Sequence, residues 1–269
     1  MFSFINILGL SIGIATCFII MLYVQSELSY DRFHKNAGDI ARIIFQAEMN
    51  GGKINESVVM APVAATMKKD FPEVKDATRI LNYGTPKISF DSKVFKDDRV
   101  AIADPNFFSI FTLPMIKGDA KNALANPYSV VITKSTAIKY FGRQEATGKT
   151  LAINNDTTLY KVTGVMEDIP VHSHFHFDIF ASMKGWRDAG SDSWLGGGFH
   201  TYLLLKPGTD QQKMQERFPD MVARYMGPQI QKGMGLSLEQ FRTKGNKLGF
   251  VLQPLTDIHL HSDTSNEFE

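Results

Sequence analysis

The residues with the clearest capacity to bind a metal ion are three histidines that alternate along one short segment. His172, His174 and His176 take every second position of VHSHFHFD, and Asp178 follows at the same spacing. Alternate residues of an extended strand lie on one face, and imidazoles at this spacing, completed by a carboxylate, can share zinc or copper. The intervening phenylalanines predict a buried opposite face, so the histidines can equally be the solvated side of an amphipathic strand.

Two further segments resemble sites for chemistry. His259 and His261 in DIHLHS repeat the alternating spacing, with the same two interpretations. The segment GRQEATGKT (142–150) ends like a phosphate-binding loop, but five residues separate its glycines instead of four and Arg143 takes the place of the first glycine. A predicted helix precedes it and a predicted strand follows, which is the reverse of a phosphate-binding loop. We therefore predict a turn between a helix and a strand.

The sequence contains no motif that combines a nucleophile with a base. We find no G-x-S-x-G, H-E-x-x-H or glycine-rich dinucleotide loop. The interpretation is that the protein is not an enzyme, has no catalytic residues and needs no cofactor.

Composition limits the class of protein. The 269 residues are 43% hydrophobic and 21% charged, which is typical of a globular chain with one large or two modest domains. Lys and Arg number 29 and Asp and Glu 28, so the net charge of +1 offers no basic excess for nucleic acid. One cysteine can form neither an internal disulfide nor the paired thiolates of a structural zinc site.

The N-terminal segment carries no charge before Glu27. Its 20 residues Ile5–Val24 are uncharged and mostly apolar, and at about 1.5 Å per residue they span the roughly 30 Å hydrocarbon layer of a bilayer. We predict a transmembrane helix over residues 1–25. Gly9 and Gly13 form a G-x-x-x-G spacing that would allow a second membrane helix to approach closely.

The residues that follow the span have a composition compatible with a helix, with polar side chains at i, i+3 and i+4 spacings. We predict a helical stalk over residues 26–42. Its candidate coupling residues are Glu27, Tyr30, Asp31, Arg32 and Phe33.

Beyond the stalk the pattern predicts alternating strands and helices. Strands 43–49 and 54–60 flank the turn Asn50-Gly51-Gly52, a helix covers 62–71, and a strand covers 74–82, which together make a β-β-α-β unit. Later predictions include a hairpin turned at Asn154-Asn155-Asp156, strands 175–183 and 200–205, and a helix over 210–226 that Pro219 kinks or breaks.

Several of these segments resemble a known family. FSFINILGLSIGIATCFIIMLYVQSELSYDRFHKNAGDIARI resembles the first membrane helix and exit segment of MacB/FtsX-type ABC transporter permeases, in the form common among Bacteroidetes. SVVITKSTAIKYFG, ATGKTLAIN and YKVTGVMEDIP resemble the MacB-like periplasmic core domain. LQPLTDIHLHS resembles the stretch that leads to the second membrane helix.

The resemblance implies an α+β fold. The N-terminal transmembrane helix would be followed by a periplasmic core domain over residues 43–269, which contains a porter-like β-α-β module and an inserted mixed α/β subdomain at about 104–167. It also implies a function in export or efflux, in which the permease transmits movement driven by ATP hydrolysis in a partner. The implied partners are an ABC ATPase subunit, a second permease copy, membrane lipid and, in some systems, a periplasmic adaptor or outer-membrane factor.

The resemblance also bears on orientation. Arg32, Lys35 and Arg42 follow the span and no basic residue precedes it, which by itself places the later residues in the cytoplasm. Members of the family usually carry a basic segment before the first helix, which holds the N-terminus inside. We therefore expect the chain to be part of a longer permease in the bacterial inner membrane, with its ectodomain in the periplasm.

Two alternatives stay open from the sequence. One is a sensor with a single membrane helix and a ligand-binding ectodomain. The other is a periplasmic metal-binding protein that uses the segment from His172 to His176.

Overall fold

The computed structural model describes residues 2–49, 51–154 and 158–268. Parts of the two predicted turns, namely Asn50 and the pair Asn155 and Asp156, lie outside these residues. So do Met1 and Glu269, the ends of the first and last predicted domains.

The first element is a long helix whose side chains up to Gln25 are exposed in the described chain. Helix α1 runs over Phe2–Glu27, and every side chain from Ser3 to Gln25 is exposed. Within the described residues it is the one helix long and apolar enough to cross a membrane. An exposed apolar surface of this length is stable only in an apolar environment.

The rest of the described chain forms fourteen strands and eight further α-helices, connected by short turns and 3-10 segments. The strands are β1 (Ile40–Met49), β2 (Gly52–Glu56), β3 (Val59–Met60), β4 (Val74–Gly84), β5 (Ile88–Phe90), β6 (Lys93–Phe95), β7 (Val100–Ala103), β8 (Met115–Lys117), β9 (Ser129–Thr133), β10 (Thr150–Ile153), β11 (Leu159–Met166), β12 (Ile179–Ser182), β13 (Gly197–Leu205) and β14 (Lys247–Pro254). The helices are α2 (Val63–Asp70), α3 (Phe107–Ile110), α4 (Lys134–Phe141), α5 (Gln211–Gln215), α6 (Phe218–Met221), α7 (Gly227–Met234), α8 (Leu238–Thr243) and α9 (Ile258–His261).

The strands form one mixed sheet in the order β14-β1-β13-β4-β7-β12-β9-β11-β10-β5-β6. The remaining strands β2, β3 and β8 pair with β1, β13 and β11, respectively. Its central strands are buried on both faces, so their sequences are continuous apolar runs. In β7, Ala101 and Ala103 face one hydrophobic cluster while Val100 and Ile102 face another. The α+β fold with an N-terminal apolar helix is therefore confirmed.

The β-β-α-β unit is confirmed at β1, β2, α2 and β4, but the strand predicted over 54–60 is divided into β2 and β3. Pro62 precedes the first turn of the helix. The predicted helix over 210–226 is divided between α5, α6 and a π-helical turn, and a break precedes Pro219. The turn predicted for 142–150 is confirmed, since α4 ends at Phe141 and β10 begins at Thr150. Strands of the 104–167 region belong to the same sheet as β5 and β12, and the limits of an inserted subdomain stay a prediction.

The helical stalk predicted over residues 26–42 is wrong as a helix. Helix α1 ends at Glu27, turns follow to a 3-10 segment at Ala37–Asp39, and β1 begins at Ile40. The physical reason lies at Asp31, whose backbone has φ of 58° and whose side chain is fully buried. A left-handed residue cannot continue a right-handed helix, and here the chain folds into the ectodomain.

The strand predicted over 175–183 is half wrong, because β12 covers only Ile179–Ser182. The histidine segment before it has no partner strand among the described residues. Instead the backbone N–H of Asp31 donates to the carbonyl of His172 at 2.9 Å, and the N–H of His174 donates to the Asp31 carboxylate at 3.2 Å. Residues 28–38, which we call the exit segment, thus occupy the place that a neighbouring strand would take.

Candidate functional site

The segment that leaves α1 is held in the ectodomain by a buried aspartate. Asp31 accepts hydrogen bonds through one carboxylate oxygen from Ser173 Oγ and from the backbone N–H of His174, both at 3.2 Å. Its other oxygen lies 2.9 Å from Nδ1 of His174. Both side chains of this Asp31–His174 contact are almost completely buried, with 0% and 3% exposure.

His174 continues the network into the sheet. Its Nε2 lies 2.7 Å from the hydroxyl of Tyr202 in β13, and Tyr202 interacts electrostatically with the Arg42 guanidinium in β1. Arg42 and Tyr202 are cross-strand partners, which fixes their side chains side by side on one face. A continuous line of polar contacts therefore joins Asp31 to Arg42 through the protein interior.

Electrostatics keep Asp31 ionised. Burial alone would raise the pKa of its carboxyl, but the neighbouring His174 imidazole lowers that pKa below its usual range. His34 is also buried, and burial lowers its pKa to about 4. Its Nδ1 accepts the backbone N–H of Thr112 at 3.1 Å, so the ring is neutral with its proton on Nε2, facing Asp31 at 3.9 Å.

Arg42 lies at the centre of a second cluster, which binds the C-terminal segment. Its side chain is fully buried and forms two bonds to the Glu267 carboxylate, at 2.5 and 2.6 Å. Gln253 and Ser262 accept from the same guanidinium at 2.7 and 2.9 Å. Burial would raise the pKa of Glu267, but the bonds from Arg42 lower it to about 2, so the pair is fully charged at neutral pH.

The end of α1 makes a third set of contacts, with His172 and with His259. Ser26 Oγ lies 2.7 Å from Nε2 of His172. On the other side Glu27 binds His259 of α9 at 2.8 Å. Tyr30 stacks on His259 with ring centroids 3.3 Å apart and planes within 4°.

The two remaining predicted coupling residues, Phe33 and Arg32, differ in burial. Phe33 packs against the core cluster that contains α3, whereas Arg32 is exposed and binds the carbonyl of Leu28 at 2.6 Å. Gly9 and Gly13 lie on the exposed surface of α1, and a Cβ at either position would meet nothing within 4 Å.

The three alternating histidines do not share a site. His172 binds Ser26, His174 binds Asp31 and Tyr202, and His176 lies with Arg99 and Asp178 at a separate cavity of about 360 Å³. Among residues 2–49, 51–154 and 158–268, no group of three or more His, Cys, Asp or Glu side chains could hold a metal. The alternative of a metal site shared by His172, His174 and His176 is not supported, because the segment is not a strand and the three rings have different partners.

The arrangement ties α1 to the ectodomain. Its polar contacts join α1, β1, β13, α9 and the C-terminal segment, and a buried charge is costly to leave without its partner. Sequence reasoning missed Tyr202, Arg42 and Glu267. A signal was present in β1, where a charged Arg42 interrupts the apolar run Ile40–Ile44 and must find a partner when it is buried.

The chain matches the family model of the MacB-like periplasmic core domain over residues 3–221. A comparison with curated protein sequences gave no match.

Solved structures provide further similarity. The fold resembles a domain of a protein described as a permease from Porphyromonas gingivalis, with TM-score 0.69 and 26% identity over 82% of this chain and 91% of that one. It also resembles the periplasmic region of MacB from Actinobacillus actinomycetemcomitans, with TM-score 0.51 and 13% identity over 83% and 92%. The extracellular domain of the ABC-type transporter YknZ from Gram-positive bacteria has TM-score 0.51 and 11% identity over 80% and 99%. The last two likenesses concern the fold alone.

Proposed function

Because this chain belongs to the family of MacB-like periplasmic core domains, we propose that it transmits movement driven by ATP hydrolysis from the membrane to its ectodomain. Membership makes the chain a membrane-anchored component of an ABC transporter and implies an ATPase partner. Hydrolysis belongs to that partner, and this chain contributes binding and movement but no catalytic step.

The observation that supports the proposal best is the buried junction between α1 and the ectodomain. A flexible linker would absorb a displacement of the helix. Here the exit segment is fixed by the Asp31–His174 pair and, through Tyr202, by Arg42 of β1. A shift or tilt of α1 therefore moves the sheet with it, because buried, hydrogen-bonded elements change arrangement as units.

The remaining parts of the proposal concern assembly. The N-terminus lies in the cytoplasm of a bacterium and the ectodomain in the periplasm, with α1 in the inner membrane. A second permease copy packs its helices near Gly9 and Gly13, whose surface is open. The core domain over residues 43–269, with an insertion at about 104–167, presents the surfaces for cargo and for an adaptor or outer-membrane factor.

Asp31→Asn tests the coupling. In the complete permease with its ATPase in nanodiscs, we expect ATP hydrolysis to continue while the ATP-dependent change in hydrogen exchange of β1 is lost. A coupling free energy of about 1–3 kcal/mol corresponds to a loss of about 5- to 150-fold. The reason is that an amide cannot replace the ionised partner of His174.

Asp97→Asn is the matched control. Asp97 also has a left-handed backbone, with φ of 68° against 58° for Asp31, but it is exposed. This variant should keep the full response to ATP. A normal ATP response in Asp31→Asn would contradict coupling through this junction, and no response in the unmodified permease would favour the sensor alternative.

A further inference from the structure

Three exposed apolar side chains lie at the base of the ectodomain. Leu28, Val171 and Leu260 have 51%, 78% and 43% of their surface exposed. Single exposed apolar residues are ordinary on protein surfaces. They indicate a binding surface only if they lie close together and if a partner, such as the bilayer, can contact them.

The contacts of its neighbour place Val171 beside the end of α1. Val171 directly precedes His172, whose ring binds Ser26 in the last turn of the helix. The same ring makes an edge-to-face contact with Tyr30, with centroids 5.4 Å apart.

Leu260 and Leu28 lie at the same place. Leu260 directly follows His259, whose ring stacks on Tyr30 and binds Glu27. Leu28 follows Glu27 in the chain, and its N–H still donates to the carbonyl of Val24. All three residues thus lie next in the chain to residues that contact the end of α1 or belong to it.

The length of the helix sets the depth of this exit in a bilayer. Ile5–Val24 covers about 30 Å at about 1.5 Å per residue, which equals the hydrocarbon thickness. No helical stalk separates Glu27 from the folded ectodomain. The side chains around Tyr30 are therefore at the level of the lipid headgroups, where tyrosine is commonly found.

The exposed charges of the exit segment match such a surface. Across residues 27–39 the fully exposed charged side chains are Arg32 and Lys35, whereas Asp31 is buried, Asp39 is half-buried and Glu27 is bound to His259. Basic side chains near a membrane surface are attracted to anionic headgroups.

We propose that this base, formed by Leu28, Val171, Leu260, Arg32 and Lys35, is a membrane-docking surface for the bilayer that α1 spans. The apolar side chains enter the headgroup and upper acyl region, and the two cations lie among the lipid phosphates. Docking fixes the tilt of the ectodomain relative to the membrane. The inference rests on the membrane anchoring of the proposed function but not on coupling to ATP hydrolysis.

Site-directed fluorescence tests the docking. In the full chain with Cys17→Ser, Val171→Cys and Leu260→Cys are each labelled with bimane and placed in nanodiscs of phosphatidylcholine and phosphatidylglycerol. We expect a blue shift of the emission and loss of fluorescence when the lipids carry a nitroxide near the carbonyl. Val94→Cys and Leu159→Cys are the matched controls, since these side chains are 57% and 58% exposed, and we expect neither change there.

Native Cys17, labelled in the unmodified chain, reports separately on anchoring. If Cys17 is quenched by lipids nitroxide-labelled deep in the acyl chain while positions 171 and 260 behave like the controls, docking is overturned and anchoring stands. A probe at 171 or 260 that is shielded from aqueous iodide but not quenched by lipid would also overturn docking, because a protein segment then covers the base. If Cys17 itself is not quenched, anchoring fails and docking fails with it.

Discussion

At the residue scale, the comparison of Asp31 with Asp97 shows that residue type and backbone conformation do not determine burial. Asp97 has almost the same backbone conformation, with positive φ, but lies in solvent, whereas the Asp31 carboxylate is buried against His174. Both positions use the tolerance of aspartate for the left-handed region. Only at Asp31 does the same conformation turn an ionised side chain into the interior, where it fixes the exit of α1.

Two buried histidines predict a loss of stability in mild acid. Burial lowers the pKa of His34 to about 4 and of His200 to about 3 from the ordinary 6.5. Below pH 6.5 the unfolded chain therefore binds protons that the folded chain does not. The stability is fully present above pH 6.5 and falls as the pH is lowered toward these values. At pH 5 we expect a loss of about 2 kcal/mol per histidine, measured by urea unfolding in detergent through Trp186 and Trp194 fluorescence.

A variant separates this effect from general acid sensitivity. His34→Asn keeps an acceptor for the N–H of Thr112 and removes the titrating ring, so its stability should fall by about 2 kcal/mol less between pH 7.5 and 5. His261→Gln, at an exposed ring, should retain the full change. An equal pH dependence in His34→Asn and the unmodified chain would show that the buried ring is not the cause.

At the scale of elements, strand pairing at β8 depends on a close backbone approach. Gly118, directly after β8, has φ of +88°, and a Cβ there would lie 2.5 Å from the carbonyl oxygen of Thr163 in β11. The alternating pattern of β11 indicates a strand, but the neighbour that approaches so closely comes from a distant segment. Local sequence therefore indicates the element without indicating what packs on it.

Gly118→Ala should destabilise the protein more than Gly148→Ala. Gly148 has the same φ, +89°, but a Cβ there would meet nothing within 4 Å. The left-handed conformation costs about 1–2 kcal/mol for alanine at either position. The overlap with β11 should add about 1–3 kcal/mol at Gly118 only. Urea unfolding of both variants measures the difference, and equal losses would mean that β8 moves away without cost.

For the whole molecule, the C-terminal segment is bound back onto the first strands. Ser265 donates its N–H to Asn55 of β2 at 2.9 Å and accepts from the N–H of Ser57 at 3.1 Å. Glu267 then pairs with Arg42 in β1, 225 residues away in the chain. Ser265 and Glu267 are thus fixed against the first two strands of the sheet.

Glu267→Gln should weaken this closure strongly. It leaves the buried Arg42 guanidinium without a charged partner, and breaking a buried ion pair from one side costs about 3–5 kcal/mol. Because Glu267 is itself 31% exposed, we expect the lower end, about 3 kcal/mol, measured as a lower urea midpoint at pH 7.5. The exposed Glu216→Gln is the control and should change stability by less than about 0.5 kcal/mol. Matching midpoints for the two variants would contradict a stabilising role for the pair.

The sequence alone predicted the features that depend on neighbouring residues. It predicted correctly the length of the apolar run in α1, the β-β-α-β unit and the turn after α4. Span length, side-chain periodicity and turn residues are local properties, so neighbouring residues suffice to predict them. The resemblance to permeases added the family. The same local reasoning extended α1 to Arg42 and made a strand of the histidine segment, and both predictions were wrong.

Only the tertiary structure decided the candidate site. Asp31 and His174 are 143 residues apart, and no spacing rule connects them. Helical composition after Glu27 expresses a preference of a few tenths of a kcal/mol per residue. Burial of the residues after α1, with their hydrogen bonds, outweighs that preference, and these contacts can form only where distant segments meet. The sequence therefore determined a membrane helix followed by an α+β ectodomain, while packing determined how the two are joined.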